Sequence, residues 1–512
     1  MTRTTIALLI ALAPACATAQ IGSETEAPAI PESEYAERRA ELARRVDDGV
    51  VLSFGARSPV DDMGRFRQTP SFMYLTGWER PNAVLLMVVR DGAAGQTLLF
   101  EPAIDPRMYL YDGFPPDSAE LHARTGLTLR PLAALDSTLL PLLDSLPLLT
   151  VSDIHTRDAM HSDSLTRGRA YIARLIESRS ISDTTTTAGE TPDFEVRSID
   201  PLLDSMRIAK SDAEVELLRE AITITVLALE TAMRVIEPGL NEGEIEAVIE
   251  YAFRVEGADG AGFGSIVGSG PNSTSYHYRA NDRDMEAADV VVMDVGAIVD
   301  GYTADVTRTV PVDGTFSDEQ RAIYEIVLEA QQAAVREVRA GAMQRTGGEA
   351  MRRVIARGLA RLGLIQAEDA RIDPPWVREG QCERTPVPLP CTQAYLYMAH
   401  GLGHGIGLEV HDVGGHSYAF SPRFQEGEVL TVEPGVYVSQ MLLDMLPDTE
   451  RNRAFIAAVR DTVQRYANIG VRIEDDYLVT ADGVEWLSPA PREIRDIESM
   501  MARPASVPLP MP

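Results

Sequence analysis

The chain has 512 residues, too many for a single hydrophobic core, so we expect two domains. Its hydrophobic content of 45% and charged content of 24% are those of an ordinary soluble globular protein. The formal net charge of -30 argues against a nucleic-acid-binding protein, because binding a phosphate backbone requires a basic surface.

The first 19 residues have the pattern of a secretory signal peptide. Arg3 supplies a positive charge, residues 6–13 form a short apolar run, and residues 17–19 (Ala-Thr-Ala) form a small-residue cleavage site. We therefore predict cleavage near Ala19 and export to the periplasm or the extracellular space. A lipoprotein attached through Cys16 is the less favoured alternative. No later apolar stretch is long enough to span a bilayer.

A linker over residues 20–31 and a first α/β domain over residues 32–190 are predicted next. The domain opens with an amphipathic helix over 33–46, for which Ser33 is the expected cap. Three apolar segments typical of strands follow, at 49–56, 84–90 and 96–102. A polar stretch with a run of four threonines predicts the end of this domain.

A second domain is predicted over residues 191–495, followed by a tail over 496–512. Its first long helix begins after Ser211, which is spaced from Glu214 as in a capping box. A faint repeat of helix, glycine turn and helix connects residues 232–249 with 334–355. This repeat favours two duplicated halves, with a site between them.

Two aspartates lie on a predicted β-hairpin whose turn is Asp300-Gly301. With that turn, Asp305 pairs with Gly296, and Asp294 lies two residues away on the same face. The two carboxylates are then diagonal neighbours that could reach one ion. The alternative is a pair of aspartates facing solvent on an edge hairpin.

Two further segments carry carboxylates. Arg472 and Glu474 are two residues apart, so they share one face of a strand, and the arginine could orient the glutamate. The alternative for this pair is a surface ion pair. Glu433 ends an apolar strand before a Pro-Gly turn, where a buried glutamate requires a partner or a metal.

Three of the 8 histidines of the chain, His400, His404 and His411, lie within twelve residues, and glycines alternate between them. Glycine costs about 1 kcal/mol per residue in a helix, so this segment is predicted to be a loop or strand with closely packed backbone. The spacing of the histidines does not decide which of them binds a metal.

Together these segments supply four carboxylates and at least one imidazole, which balance two divalent cations. A set of ligands dominated by oxygen favours Mn²⁺, with Zn²⁺ and Co²⁺ as alternatives. After cleavage of the signal peptide two cysteines remain, Cys382 and Cys391. In an oxidising compartment we expect a local disulfide between them rather than two free thiols.

In order and spacing, these motifs are similar to those of the creatinase/aminopeptidase, or pita-bread, metallopeptidases (family M24). The resemblance rests on "FMYLTGWERPNAVLLMV", "MRIAKSDAEVELLREA", "MDVGAIVDGYTADVTRT", "HGLGHGIGLEVHDVG", "TVEPGVY" and "GVRIEDD". It implies an α/β (α+β) fold: a pita-bread catalytic domain of two pseudo-symmetric halves, preceded by a smaller α/β creatinase-like domain.

The resemblance also implies roles for individual residues. The implied metal ligands are Asp294, Asp305, His404, Glu433 and Glu474. Asp305 and Glu474 would bridge two ions, and Glu433 would also move a proton. The implied residues around the substrate are His277, His400, His411 and Arg472, of which His277 and His411 would also take part in catalysis.

The activity implied by the resemblance is Xaa-Pro aminopeptidase, acting on peptides with proline at the second position by attack of a metal-bridging hydroxide. The long segment 441–468 resembles an insertion of Xaa-Pro dipeptidases (prolidases), which is the alternative activity. Prolidases hold the dipeptide carboxylate with an arginine, for which this chain offers only a displaced Arg423. A non-catalytic secreted peptide-binding protein is the third interpretation. Family members often form homodimers or homotetramers.

Overall fold

The computed structural model describes residues 28–57, 66–103, 105–108, 110, 119, 123, 126–151, 162–181, 191–192, 194–378, 380–415 and 421–504. The predicted signal peptide, the first eight residues of the predicted linker and the threonine run lie outside the described residues. Among the described residues, no helix is both long enough and apolar enough to cross a membrane.

The first domain is built on one six-stranded sheet. Its helices and strands are α1 Glu32–Arg45, β1 Gly49–Phe54, α2 Pro70–Thr76, β2 Val84–Arg90, β3 Ala93–Glu101, β4 Thr128–Pro131, α3 Leu135–Leu143, β5 Leu148–Val151, α4 Ser162–Ser178, β6 Ser180–Ile181, β7 Thr191–Pro192 and β8 Val196–Ser198. The sheet order is β4-β3-β2-β1-β5-β8. The antiparallel strands β1 to β3 are those predicted from the sequence, and β4, β5 and β8 join in parallel.

Two predictions for this domain are wrong. Helix α1 begins at Glu32 after Pro31, without a side-chain cap, so Ser33 lies inside the helix. The sheet also continues past residue 190, because β8 pairs with β5. The next helix packs against the same core through Leu203. The pairing of β8 depends on contacts distant in sequence, which local patterns do not report.

The second domain has two halves, each with a pair of packed helices and a three-stranded sheet. It follows α5 Asp200–Arg207, which packs on the first domain. Its elements are α6 Asp212–Val235, α7 Glu242–Val255, β9 Gly260–Ala261, β10 Ile266–Ser269, β11 Val290–Val295, β12 Ala297–Val299, β13 Tyr302–Thr303, β14 Val306–Pro311, α8 Asp318–Val335, α9 Arg345–Leu362, β15 Val429–Val432, β16 Gly435–Val438, α10 Met441–Asp444, α11 Glu450–Arg465, β17 Ile469–Arg472, β18 Asp475–Val479, β19 Val484–Trp486 and α12 Ile494–Met501. The first half pairs α6 with α7 and has the sheet β10-β11-β14. The second half pairs α8 with α9 and has the sheet β15-β18-β19.

Local patterns predicted the start of helix α6 and one hairpin turn correctly. Ser211 and Glu214 form the reciprocal hydrogen bonds of a capping box at α6. Asp300 and Gly301 both have positive φ, 47° and 85°, as a tight hairpin turn requires. The predicted boundary at residue 495 is wrong, because it falls inside α12. Three residues at helical spacing pack this helix into the core: Ile494, Ile497 and Met500.

The segment before the histidine loop is fastened in two ways. Cys382 and Cys391 are joined by a disulfide, with their Cα atoms 5.5 Å apart. Helix α11, which occupies most of the insertion over 441–468, binds the residues before the disulfide, since the Asn452 side chain donates to the Asp373 carbonyl at 2.8 Å. Arg451 adds an ion pair with Glu383 at 2.5 Å.

Candidate metal centre

The two halves of the second domain bring three predicted ligands together. Asp305 comes from the first half, and His404 and Glu474 come from the second. One ligand atom from each of the three lies within 4.8 Å of the others. Glu433 joins this group, because its Oε1 lies 3.7 Å from His404 Nε2.

The aspartates of the hairpin are both buried. The observed register pairs Val295 with Val306 and Ile298 with Thr303, as the predicted turn requires. Asp294 is 8% exposed and Asp305 is 5% exposed. The alternative of two aspartates facing solvent is therefore wrong, and the hairpin directs both carboxylates into the interior between the halves.

His404 is held by the strand beside it. Its backbone N–H donates to the Thr431 hydroxyl at 3.1 Å, and its carbonyl accepts from the Thr431 N–H at 2.8 Å. Its ring Nδ1 lies 3.1 Å from the Gly405 carbonyl, which can only accept, so Nδ1 carries the proton. Nε2 is left as a lone-pair donor, 3.4 Å from Asp305 Oδ2, which is the state a metal ligand needs.

Close backbone packing explains two of the alternating glycines. A methyl group on residue 403 would overlap the carbonyl oxygen of Thr431, and one on residue 405 would overlap that of Val413. The segment is a loop paired with β15 rather than a helix, as the sequence predicted.

Arg472 is the central cation of the site, and its main partner differs from the prediction. Its guanidinium forms an ion pair with Asp294, not with Glu474. It reaches Glu474 only through Thr307, whose hydroxyl accepts from Arg472 Nε at 3.2 Å and donates to Glu474 at 2.6 Å. Arg472 is 3% exposed and Glu474 is 2% exposed, so the surface ion pair is also excluded.

A hydrogen-bond chain connects Arg472 to His400. The Tyr437 hydroxyl accepts from Arg472 Nη1 at 3.0 Å and lies 3.0 Å from His400 Nε2. His400 Nδ1 is 2.9 Å from the Gly401 carbonyl and must donate to it. Burial lowers the pKa of His400 to about 4, and the charge of Arg472 acts in the same direction. His400 is therefore neutral at physiological pH and accepts from the tyrosine.

The remaining two histidines lie at the edge of this group. The ring of His411 packs edge-on against that of His404, with centroids 4.5 Å apart. His277 is exposed in the loop after residues 270–274. Burial lowers the pKa of its imidazole, whereas the charge of Asp294 raises it. The charges of Arg472 and His411 also act on His277, so all of these groups are close together.

The electrostatics of the group fit divalent cations. Among the described residues, one oxygen each of Asp294, Asp305 and Glu474 is buried without a hydrogen-bond partner. Burial raises the pKa of Asp305 well above its ordinary value, and the charges of Glu474 and Asp294 raise it further. Burial likewise raises the pKa of Glu433 to about 7. Carboxylates crowded in this way need positive charge between them, and their oxygens are ligands that hard cations prefer.

Sequence reasoning missed Thr307 and Asp476. Thr307 lies two residues after Asp305, and Asp476 lies two residues after Glu474, so a period of two along each strand could have indicated both. The side chain of Asp476 accepts from the backbone N–H of Asp305 at 3.2 Å. Burial raises the pKa of Asp476 well above its usual range.

The metal-free protein should lose stability as pH rises. A carboxyl with a raised folded-state pKa contributes stability that is present below its unfolded pKa and lost as pH rises through its folded pKa. For Glu433 that loss extends from its ordinary value of 4.5 to about 7, and Asp305 and Glu474 act in the same direction at higher pH. We expect the Tm of chelator-treated protein, measured by circular dichroism, to fall by several degrees between about pH 5 and about pH 8. A flat or rising Tm in chelator would contradict this account, and added Mn²⁺ should reduce the slope.

Family models match both domains of the chain. Residues 216–481 match metallopeptidase family M24, and residues 35–148 match the aminopeptidase P N-terminal domain. The chain belongs to metallopeptidase family M24. All five predicted ligands of this M24 chain lie within the first matched range.

Among sequenced relatives of the M24 chain is an Xaa-Pro aminopeptidase of Haemophilus influenzae, 31% identical over 92% of this chain and 98% of the relative. The Xaa-Pro aminopeptidase of Escherichia coli is 30% identical, over 92% and 98% of the two chains. The solved structure of aminopeptidase PepP from Pseudomonas aeruginosa has a TM-score of 0.73 and 32% identity, and covers 93% of this chain and 99% of that one. A zinc-substituted E. coli aminopeptidase P in complex with product has a TM-score of 0.74 and 27% identity, over 92% and 98%.

Proposed function

We propose that the protein is an Xaa-Pro aminopeptidase that removes the N-terminal residue from peptides with proline at the second position. The observation that carries the proposal is the buried group of Asp305, His404 and Glu474, whose ligand atoms lie within 4.8 Å of one another. Its relatives support the choice of reaction, since those of E. coli and H. influenzae are Xaa-Pro aminopeptidases.

We infer that two divalent cations would be held by five residues. Asp294 would complete one position, His404 and Glu433 the other, and Asp305 and Glu474 would serve both. When bound, such ions supply a Lewis acid and lower the pKa of a water molecule. The donor set is four carboxylates and one imidazole, which favours Mn²⁺ over softer ions.

The side chains around this group have distinct tasks in hydrolysis. Glu433, whose pKa is about 7 in the absence of cations, is suited to take a proton from water and return it to the leaving nitrogen. His411 and His277 can donate to the carbonyl oxygen as negative charge develops on it, and hold the prolyl residue. Arg472 holds Asp294 by an ion pair and, through Tyr437, keeps His400 oriented.

The cluster of carboxylates also explains why the protein would act as an aminopeptidase rather than as an endopeptidase. The free N-terminal amine of a peptide is a cation and would be attracted to the carboxylates, which limits cleavage to the first residue. An Xaa-Pro bond has no N–H at its nitrogen, so enzymes that bind that N–H handle it poorly. A dipeptidase would need an arginine to bind the carboxylate of its substrate. Arg423, the candidate in this chain, instead donates to the Gly341 carbonyl at 2.6 Å.

Two peptides separate the alternatives. We expect Mn²⁺-loaded protein to cleave Arg-Pro-Pro at least as fast as Gly-Pro. Liquid chromatography of the released residue measures both rates, and EDTA should abolish both reactions. Cleavage of Gly-Pro alone would replace the proposal with a dipeptidase. No cleavage with Mn²⁺, Co²⁺ or Zn²⁺ would favour a peptide-binding protein.

Export and assembly stay proposals. The basic, apolar and small-residue pattern of residues 1–19 supports export, and the disulfide between Cys382 and Cys391 is compatible with an oxidising compartment. A homodimer or homotetramer is proposed from the family alone, and light scattering on the purified protein tests it.

A further inference from the structure

One basic residue of the chain is unlike all the others. Lys210 is the only lysine among 512 residues, whereas 46 other positions carry arginine. Its side chain is 1% exposed, so it contributes nothing to the charge of the surface. A chain that uses arginine for every other cation has a lysine at this one buried point, which indicates that the shape of the side chain matters there as well as its charge.

The partner of Lys210 lies beside a proposed catalytic histidine. Its Nζ is 3.1 Å from Asp412 Oδ2 and donates to the Arg207 carbonyl at 2.8 Å. Arg207 pairs with the other oxygen of Asp412. Asp412 directly follows His411, so two buried cations hold the residue next to that histidine.

Both charges act on Asp412 strongly enough to outweigh its burial. Burial raises the pKa of the Asp412 carboxyl, but the charges of Arg207 and Lys210 lower it below the ordinary value. The carboxylate is therefore ionised, and its side chain is 2% exposed. Losing one partner of such a buried pair leaves a charge that must find a new position or draw in water.

Asp412 also closes the histidine loop. Its backbone N–H donates to the Gly405 carbonyl at 2.8 Å, which brings the two ends of the segment from 405 to 412 together. Next to this closure, the ring of His411 packs against that of His404. A shift of Asp412 would move His411 relative to the metal centre.

Packing at Gly407 explains why lysine occupies position 210. A Cβ on residue 407 would overlap the Asp412 carboxylate and would lie 2.9 Å from Lys210 Cε. The narrow methylene stem of lysine fits against this glycine, while the planar guanidinium of arginine is wider than an ammonium group. The glycine and the lysine therefore form one packed unit with Asp412.

The same unit reaches the first domain. Arg207 Nη1 donates to the Ser71 hydroxyl on α2 at 3.2 Å, and its other terminal nitrogen binds Asp412. One side chain thus touches both the N-terminal domain and the residue that follows His411.

We propose that Lys210 is a positioning residue which, with Arg207, fixes Asp412 and thereby holds the imidazole of His411 at the substrate side of the metal centre. The proposal rests on the proposed function, because it takes His411 as a group that contacts the substrate. It assigns a task to a lysine whose side-chain hydrogen bonds, within the described part of the chain, go to Arg207 and Asp412 rather than to the proposed metal ligands.

A double-mutant cycle with Lys210→Arg and His411→Ala tests it. With Mn²⁺-loaded protein and Arg-Pro-Pro, we expect Lys210→Arg to lower kcat about 10- to 100-fold, since a displacement of about 1 Å at a reacting group has effects of this size. Bound metal should be unchanged. In the His411→Ala background, Lys210→Arg should lower kcat less than about 2-fold, because the residue through which it acts is gone. Independent losses that multiply, or a Lys210→Arg variant that behaves as wild type, would overturn the proposal.

Two further variants separate positioning from general stability. Arg38→Lys is the matched control, because Arg38 is also a buried cation between the domains, 3.3 Å from Glu214, and should leave kcat unchanged. Gly407→Ala should reproduce the loss in kcat, and Gly483→Ala should not, since a Cβ at 483 meets no heavy atom within 4 Å. These glycine variants still test the proposal if Lys210→Arg does not fold.

Nuclear magnetic resonance of the histidine rings measures the displacement of His411 independently of enzymatic activity. We expect the His411 ring signal of metal-free protein, assigned by its loss in His411→Ala, to shift in Lys210→Arg but not in Arg38→Lys. An unshifted signal would overturn the positioning role. If wild type cleaved no Xaa-Pro peptide but the signal shifted, the proposed function would fail and the packing role of Lys210 would stand.

Discussion

Replacing Asp305 with asparagine is expected to remove more than about 99% of Xaa-Pro hydrolysis, because Asp305 is one of the two carboxylates proposed to bind both ions. Loss of a residue that merely orients a ligand lowers activity about 10- to 100-fold, and loss of a shared ligand should exceed that. Initial rates on Arg-Pro-Pro, together with metal content by mass spectrometry, measure the effect.

The same substitution should raise the stability of the metal-free protein. Burial and the charges of Glu474 and Asp294 raise the pKa of Asp305, so its ionised form is unfavourable without cations. Asparagine removes one of these repelling charges, and we expect a higher Tm than wild type in chelator at about pH 8. Asp461→Asn, on the exposed face of α11, is the control and should change neither quantity. A metal-free Asp305→Asn protein that is less stable than wild type would show that repulsion between the carboxylates does not destabilise the metal-free protein.

Replacing Arg472 with methionine is expected to lower the free energy of unfolding of the metal-free protein by about 3–5 kcal/mol, the usual effect of leaving one member of a buried ion pair alone. Asp294 would lose its cation, and Tyr437 and Thr307 would each lose a donor. Urea unfolding followed by fluorescence measures the change. Bound Mn²⁺ should reduce it, because a cation near Asp294 replaces part of the lost charge.

An arginine at the surface provides the comparison. Arg465 pairs with Glu319 at 2.8 Å, and its side chain is 62% exposed. Arg465→Met should therefore have little effect on unfolding, since exposed ion pairs contribute little. Equal losses for the two variants would contradict the expectation that leaving a buried Asp294 without its cation costs more than breaking an exposed pair.

Sequence patterns predicted those features that depend on short distances along the chain. The Asp300-Gly301 turn fixed the register of the hairpin and so placed Asp294 and Asp305 near each other. The capping box at Ser211 depends on four consecutive residues, and it too was correct. In both cases the geometry is set by local backbone conformation.

Predictions that depended on distant partners were wrong or incomplete. The period of two placed Arg472 and Glu474 on one face, but it could not show that Asp294, 178 residues away, takes the arginine. The domain boundary at 190 failed because β8 finds its partner in β5. The ligand set came from the family resemblance, since no spacing pattern brings residues 305, 404 and 474 together.

The distribution of the proposed ligands between the two halves has a consequence for how the enzyme matures. The first half supplies Asp294 and Asp305, and the second supplies His404, Glu433 and Glu474, so neither half alone presents a complete coordination sphere. A partly folded chain would therefore be a poor chelator, and high affinity would arise only when both halves have docked. Metal would then bind late in folding, and the ions available at that stage would determine which cation the folded enzyme contains.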